Sequence, residues 1–173
     1  GWLFNHEGIR RGEEFVTRKI TKNVAFIKYC LENGHDIKPL SVGNIYAQRD
    51  WSDAEDFIDG IWKMLNNTEP KEYVLSSGKT NTVKKFITEA FNVLGITGTW
   101  ENETDDNINE KFYTVVDDRV ILLVQIDPKF YRPAEVDLLL GDSSLARKDL
   151  GWEPKISFDE LIKKMVLYDY NEL

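Results

Sequence analysis

"GWLFNHEGIRRGEEFVTRKI", residues 1 to 20, changes its periodicity once. The apolar opening runs into the polar trio Asn5, His6 and Glu7, as a short strand runs into a loop. From Phe15 onward, apolar residues recur at Val16, Ile20, Val24, Ile27 and Leu31, the steps of one helical stripe. "ENG" closes that helix, with Gly34 where a left-handed residue would end it. Strand, loop and helix in that order open an α/β chain.

The alternation continues outward from this unit. "DIKPLSVGNIYAQRDW" (residues 36 to 51) reads as loop and extended chain. Ser52 and Glu55 have the spacing of a capping box, and the helix they open carries Ala54, Phe57, Ile58, Ile61 and Leu65 on one side. "EYVLSSG" is a strand ending in a turn. Thr82 can cap a third helix with Val83, Phe86, Ile87, Ala90 and Leu94 inward and Gly95 beyond its end. "TGTWEN" is a further strand. Residues 101 to 113 are acidic and polar and read as a surface loop. "TVVDDRVILLVQI" holds one or two extended segments, and "DPKFYRP" is rich in turn residues. Asp142 is placed to cap a short helix, and Ser157 with Glu160 forms a second capping box ahead of the closing helix.

Composition bounds the function. The chain has 173 residues, 42% of them hydrophobic, enough to bury one core. A formal net charge of −8 argues against a general nucleic-acid or anionic-membrane binder, which needs a broad basic surface. It leaves room for a nucleotide, because a phosphate pair needs only a few local cations and backbone N–H groups. The single cysteine, Cys30, forms no disulfide within the chain and reads as a small buried hydrophobe, which suits a reducing, cytoplasmic setting. No apolar run approaches the ~20 residues that span a bilayer. No secretory signal pattern and no Met open the chain; its apolar start reads as the inside of a longer sequence. The sequence has no Cys or His pair at metal-ligand spacing, no glycine-rich phosphate loop and no Tyr-x-x-x-Lys.

Three clusters carry the candidate chemistry. In the first, Asn5 and His6 end a strand, Arg10 and Arg11 follow in the loop, and Thr17, Arg18 and Lys19 start a helix. Open α/β sheets bind ligands at strand ends, and a helix start offers unpaired N–H groups and a positive dipole end. A solvated basic loop explains the same spacing. The second is "GNIYAQRDW", residues 43 to 51, where Arg49 beside Asp50 is either a buried ion pair or a phosphate fork. Trp51 reads as core ahead of stacking platform. The third is "YRPAEVDLLLGD", residues 131 to 142, where Arg132 and a carboxylate, Glu135 or Asp137, either read a phosphate and a ribose diol or form a surface ion pair.

Four blocks, "FNHEGIRRGEEFVTRKI", "GNIYAQRDW", "YRPAEVDLLLGD" and "LGWEPKISFDELI", resemble in order the blocks of the GDP-mannose 4,6-dehydratases, extended short-chain dehydrogenase/reductases. The first and third are the specific ones. Gly8 and Ile9, Ser52 and Asp53, and the longer run before Gly43 that holds His35 depart from the usual pattern. The resemblance implies the C-terminal part of a Rossmann-type enzyme, residues 1–173 being its C-terminal and substrate-binding portion, without the NADP-binding half or the catalytic groups. Implied substrate contacts are Asn5, Val16, Lys19, Gly43, Arg49, Arg132 and Glu135; implied NADP contacts are His6 and Arg11. Arg10 and Arg11 would also approach a neighbouring subunit of a dimer or tetramer. The implied reaction is loss of water from GDP-mannose to GDP-4-keto-6-deoxymannose, on the route to GDP-fucose. A nucleotide-sugar binding module without catalysis, or a relative acting on another nucleotide sugar, are the alternatives.

Overall fold

A computed structural model describes residues 1–101, 109–131 and 136–173. In chain order, β1 (Trp2–Leu3), β2 (Asn5–Glu7), α1 (Val16–Asn33), β3 (Leu40–Val42), β4 (Gln48–Arg49), β5 (Trp51–Asp53) and α2 (Ala54–Leu65) come first. Then follow β6 (Val74–Leu75), β7 (Asn81–Thr82), α3 (Val83–Val93), β8 (Thr99–Glu101), β9 (Lys111–Val116) and β10 (Arg119–Ile126). A 3-10 turn (Pro128–Phe130), β11 (Leu138–Leu139), α4 (Ser144–Leu150) and α5 (Phe158–Asn171) complete the order. Strands alternate with helices, as the α/β reading expects.

The opening unit forms as its periodicity dictates. β1 pairs in parallel with β6 and β2 in parallel with β5. Ile20, Val24 and Ile27 of α1 are fully buried, each burial contributing roughly 1.5–3 kcal/mol. Gly34 ends the helix in the left-handed region, at φ 67°. α1 packs on α5 and α3, and the three helices cover a four-stranded sheet of order β3-β10-β9-β8. The register of β9 and β10 shifts at Leu122/Val124, and Leu123 and Val124 are both buried there. Trp51 is core, 3% exposed, packed against Phe86 and Phe158. Cys30 is buried and makes no disulfide.

A second, smaller core forms where α2, β6 and α4 meet, from Phe57, Tyr73, Leu75, Ala146 and Trp152. Trp152 Nε1 donates to the Asp56 carbonyl at 2.8 Å, while the Asp56 carboxylate accepts from the amides of Lys155 and Ile156. The tryptophan of "LGW" is thus a structural anchor.

Local expectations met two corrections and one extension. The cap of α2 is Asp53, whose carboxylate accepts from the Glu55 amide. Ser52 lies one residue earlier, buried in β5, so the Ser52–Glu55 box does not form. Pairing of Ser52 with His6 in the parallel ladder fixes that offset. On α2, Phe57 is buried, but Ile58 and Leu65 are 64% and 77% exposed and join Trp62 on an outward face. The extension is a β-hairpin: Lys111 already lies in β9, and Asp117 and Asp118, at φ 49° and 60°, form its two-residue turn into β10. Positive φ at both turn positions matches the right-handed strand twist. The caps at Thr82 and at Ser157 with Glu160 form as read. Asp142 accepts from the Ser144 amide at the start of α4. Residues 102–108 of the acidic segment lie outside the described residues.

One buried carboxylate joins three segments. Asp50, fully buried, accepts from the Ser77 amide at 2.8 Å, the Ser77 hydroxyl at 2.6 Å, the Gly78 amide at 2.9 Å and the Gly141 amide at 3.3 Å. Both oxygens are spent on these donors, which locks the β4–β5 junction to the turn after β6 and to the segment after β11. Asp50→Ala leaves these donors unmatched and is expected to lower stability by about 2–4 kcal/mol. Asp50→Asn, which keeps one acceptor oxygen, should lose less. Urea unfolding of both variants checks this; an Asp50→Ala midpoint equal to wild type would refute it.

Candidate functional site

The candidate site lies at the C-terminal ends of β3 and β10, where α1 begins. These two strands run parallel, so their exits lie side by side, and the Asp127 amide donates to the Val42 carbonyl at 2.8 Å. Open α/β sheets present ligand sites at this end of their strands. A cleft of about 600 Å³ opens there, lined among others by Asn5, Val16, Lys19, Gly43 and Arg49. Five of the seven residues expected at the substrate therefore meet in one place. The other two, Arg132 and Glu135, lie outside the described residues.

Each residue arrives by a different route. Phe15, at the cap position of α1, offers no capping side chain, and no acidic residue lies in the first turn. Phe15, Val16 and Thr17 line the cleft, so the helix start meets it without a side-chain cap. Such an end carries a partial positive charge and spare donors. Lys19 sits one turn in, and its Nζ donates to the Ser41 carbonyl at 2.7 Å while lying 3.4 Å from the Phe130 ring centroid. Burial of the ammonium, with Lys129 nearby, pushes its pKa below the ordinary lysine value, against the pull of Asp127. Gly43 follows β3 where the Phe130 carbonyl passes over it, and a Cβ there would collide with that oxygen. Arg49 is half-buried; its Nη1 donates to the Gln48 carbonyl at 2.8 Å. Asp50 is taken up by Ser77, Gly78 and Gly141, and among the described residues no Arg49–Asp50 ion pair forms, so that alternative does not hold.

His6 and Arg11 are placed apart from that cleft. With Asn5 and Leu139 they line a smaller cavity of about 350 Å³. His6 Nδ1 lies 2.8 Å from the Phe4 carbonyl, to which it donates, leaving Nε2 as the other ring position. The Arg11 guanidinium stacks on the Phe15 ring at 3.5 Å, and its Nε, 3.2 Å from Glu7, is buried without a hydrogen-bond partner. Asn5 lines both cavities.

The basic run at the start of α1 divides. Arg18 turns to α5, where Nη2 meets Asp169 at 2.8 Å, and Thr17 donates to Glu7 at 2.5 Å. Of Thr17, Arg18 and Lys19, only Lys19 brings a cation to the cleft. Arg10 is exposed on the loop. His35 is exposed as well, stacked against Tyr29.

Two cleft residues were not foreseen from the sequence. Glu7 is 2% exposed and joins Thr17 on the large cleft to Arg11 on the small cavity. Its burial raises the carboxyl pKa, opposed by the Thr17 hydrogen bond and by Arg11 and His6. Phe130 closes the cleft over Gly43 and Lys19. In sequence Glu7 belonged to the quoted motif, whereas Phe130 stood in a turn with nothing to tie it to residues more than eighty positions earlier. Among the described residues, no group of three or more His, Cys, Asp or Glu side chains is placed to hold a metal ion, and no helix is long and apolar enough to cross a membrane.

Comparison with known proteins bears on this geometry. Residues 1–165 match the family model described as GDP-mannose 4,6 dehydratase. The Dictyostelium discoideum GDP-mannose 4,6 dehydratase is 44% identical over 169 residues, covering 98% of this chain and 45% of the relative. The Vibrio cholerae GDP-mannose 4,6-dehydratase is 42% identical over 177 residues, with 98% and 45% covered. The human GDP-mannose 4,6 dehydratase is 39% identical, with 98% and 43% covered. The chain thus spans less than half the length of these relatives. Among solved structures, RMD from Pseudomonas aeruginosa complexed with NADPH superposes with a TM-score of 0.74 at 19% identity, over 99% of this chain and 48% of its own. A dTDP-glucose 4,6-dehydratase from Bacillus anthracis in complex with NAD gives 0.65 at 17%, over 98% and 43%. These last two likenesses speak to the fold alone. With residues 1–165 of the 173 matched by the family model and identities near 40% over 98% of the chain, this chain belongs to the GDP-mannose 4,6-dehydratase family.

Proposed function

We propose that this chain is the C-terminal, substrate-binding portion of an enzyme that converts GDP-mannose to GDP-4-keto-6-deoxymannose. The observation that carries the reading is the meeting of Lys19, Arg49 and the uncapped start of α1 in one cleft, beside Gly43, on a protein of net charge −8. A diphosphate suits two cations and a helix N-terminus, because each supplies donors or positive potential to oxygens that keep their charge. Gly43 and Phe130 form an apolar wall for the organic part of the ligand. Arg132 and Glu135 are assigned by family resemblance to close over it.

NADP is the proposed cofactor, and when bound it would take a hydride from the sugar and later return it. The residues of the small cavity fit part of it: Arg11 has a buried Nε without a hydrogen-bond partner, and His6 holds its ring through Nδ1. Asn5, between the two cavities, is the proposed divider of sugar nucleotide and cofactor. The catalytic acid and base, and most of the cofactor pocket, are assigned to the length of the relatives that this chain does not match. This chain alone should bind but not turn over. Exposed Arg10 and neighbouring Arg11 are proposed to meet a second copy in a dimer or tetramer. A single buried thiol suits the proposed cytoplasmic setting.

The full-length protein, given GDP-mannose and NADP, is expected to accumulate a 4-keto product readable by mass spectrometry. Turnover of a UDP or dTDP sugar instead would overturn the substrate assignment. Arg49→Ala should weaken GDP-mannose binding by about 1.5–3 kcal/mol in isothermal titration, the size of a charge-assisted contact. An unchanged dissociation constant would make Arg49 structural. The lowered pKa of Lys19 adds a pH signature. Its ammonium favours an anion, so affinity present at neutral pH is lost as pH rises through a value below that of an ordinary lysine. Lys19→Gln should weaken binding at neutral pH and flatten that alkaline limb; a limb of wild-type shape would remove Lys19 from the site.

A further inference from the structure

A second cleft shares Trp51, and no other lining residue, with the proposed substrate cleft. Its volume is about 760 Å³, and its walls come from the turn after β6, the starts of α3 and α5, and α4. Lys79, Lys85, Arg147 and Lys155 all line it. On a chain with 30 acidic and 22 basic residues, four cations around one hollow is a local reversal of charge.

The partners of these cations decide what the hollow can do. Arg147 donates Nη2 to the Ser77 carbonyl at 2.9 Å and Nε to the Ser143 hydroxyl at 3.3 Å. Lys85 donates to the Asn81 side chain at 2.9 Å and lies 5.2 Å from the Phe158 ring centroid. For Lys79, no side-chain partner is found among the described residues. None of these three meets a carboxylate at ion-pair distance among the described residues. Lys155 does, at 3.7 Å from Asp59, and is 70% exposed. Two acids, Glu153 and Asp159, line the cleft as well and are exposed, as are Lys79, Lys85 and Arg147. The helix starts add field but few donors, since Thr82 caps the Lys85 amide and Ser157 and Glu160 cap each other. Recognition would therefore fall to the side chains of Lys79, Lys85 and Arg147.

Hydrogen bonds tie two of the three segments together. Ser77 is held by Asp50 and in turn receives Arg147, so the turn bearing Lys79 is tied to the helix bearing Arg147. Uncompensated cations gathered on a fixed frame, with Phe158 as an apolar floor, suit an anion of high charge density attached to an organic group.

We propose that this cleft is a second binding site, separate from the substrate cleft, for a small molecule carrying a diphosphate. The site stands whether or not the chain acts on GDP-mannose, since it shares only Trp51 with the first cleft. The test uses the full-length protein with Arg49→Ala, which weakens the first cleft, and titrates in pyrophosphate by calorimetry. Pyrophosphate should bind, and adding Lys79→Glu and Lys85→Glu should weaken it about tenfold or more, the worth of lost charge-assisted contacts. Affinity untouched by those changes would overturn the proposal. If the charge-reversed protein melts early, Lys79→Gln with Lys85→Gln supplies the same comparison. ADP binding tighter than pyrophosphate at this cleft would assign part of the ligand to the Phe158 floor; equal affinity would assign the site to phosphate groups alone. Loss of the GDP-mannose effect of Arg49→Ala would count against the substrate reading and leave this one in place.

Discussion

The Asp50 carboxylate is the constraint on which the functional surface depends. Buried ions are costly, and this one is offset by donors from two separate segments, the turn after β6 and the stretch after β11. Its position between Arg49 and Trp51 then sets what its neighbours can do. Trp51 goes into the main core against Phe86 and Phe158, and Arg49 is left on the cleft. The same bonds fix Ser77, which receives Arg147 in the second cleft. Two hollows that share one tryptophan are thus framed by the bonds of a single buried group.

Charge is divided with the same economy at the start of α1. Successive residues of a helix point about 100° apart, so adjacent cations cannot share a face. Lys19 reaches the cleft, whereas Arg18 is carried to α5 and meets Asp169, which also accepts from Thr21 at 2.6 Å. The buried Arg18–Asp169 pair secures the packing of α1 on α5, and that packing holds the helix start in place at the cleft. Glu7 performs a related task between the two cavities. It holds Thr17 on one side and Arg11 on the other, so the loop bearing the arginine pair and the helix start are positioned by one carboxylate.

Much of the fold was legible in the sequence, because its signals are local. The stripe of α1, its glycine stop, the cap at Thr82 and the box at Ser157 and Glu160 depend on residues within a few positions of one another. The failures were local rules overruled from a distance. Ser52 has the right spacing to cap α2, but ladder pairing with His6 draws it into β5 and passes the cap to Asp53. The outward face of Ile58, Trp62 and Leu65 shows that apolar periodicity marks a face without saying which neighbour covers it. The hairpin turn at Asp117 and Asp118 was hidden because a pair of aspartates is a weaker turn signal than one containing glycine.

The sequence by itself determined the α/β order, the family and the residue types of the candidate site, since blocks such as "FNHEGIRRGEEFVTRK" and "GNIYAQRDW" carry these in contiguous chain. Only the tertiary structure decided which of those residues share a cavity. It joined Lys19 and Gly43 to Phe130 through the parallel pairing of β3 with β10, and it separated His6 and Arg11 into a hollow of their own. It also turned Asp50 from a partner for Arg49 into the clasp of three segments. The physical reason is the same throughout: a side chain's chemistry is written in its own residue, but its partners are set by strand register and buried hydrogen bonds between segments far apart in the chain.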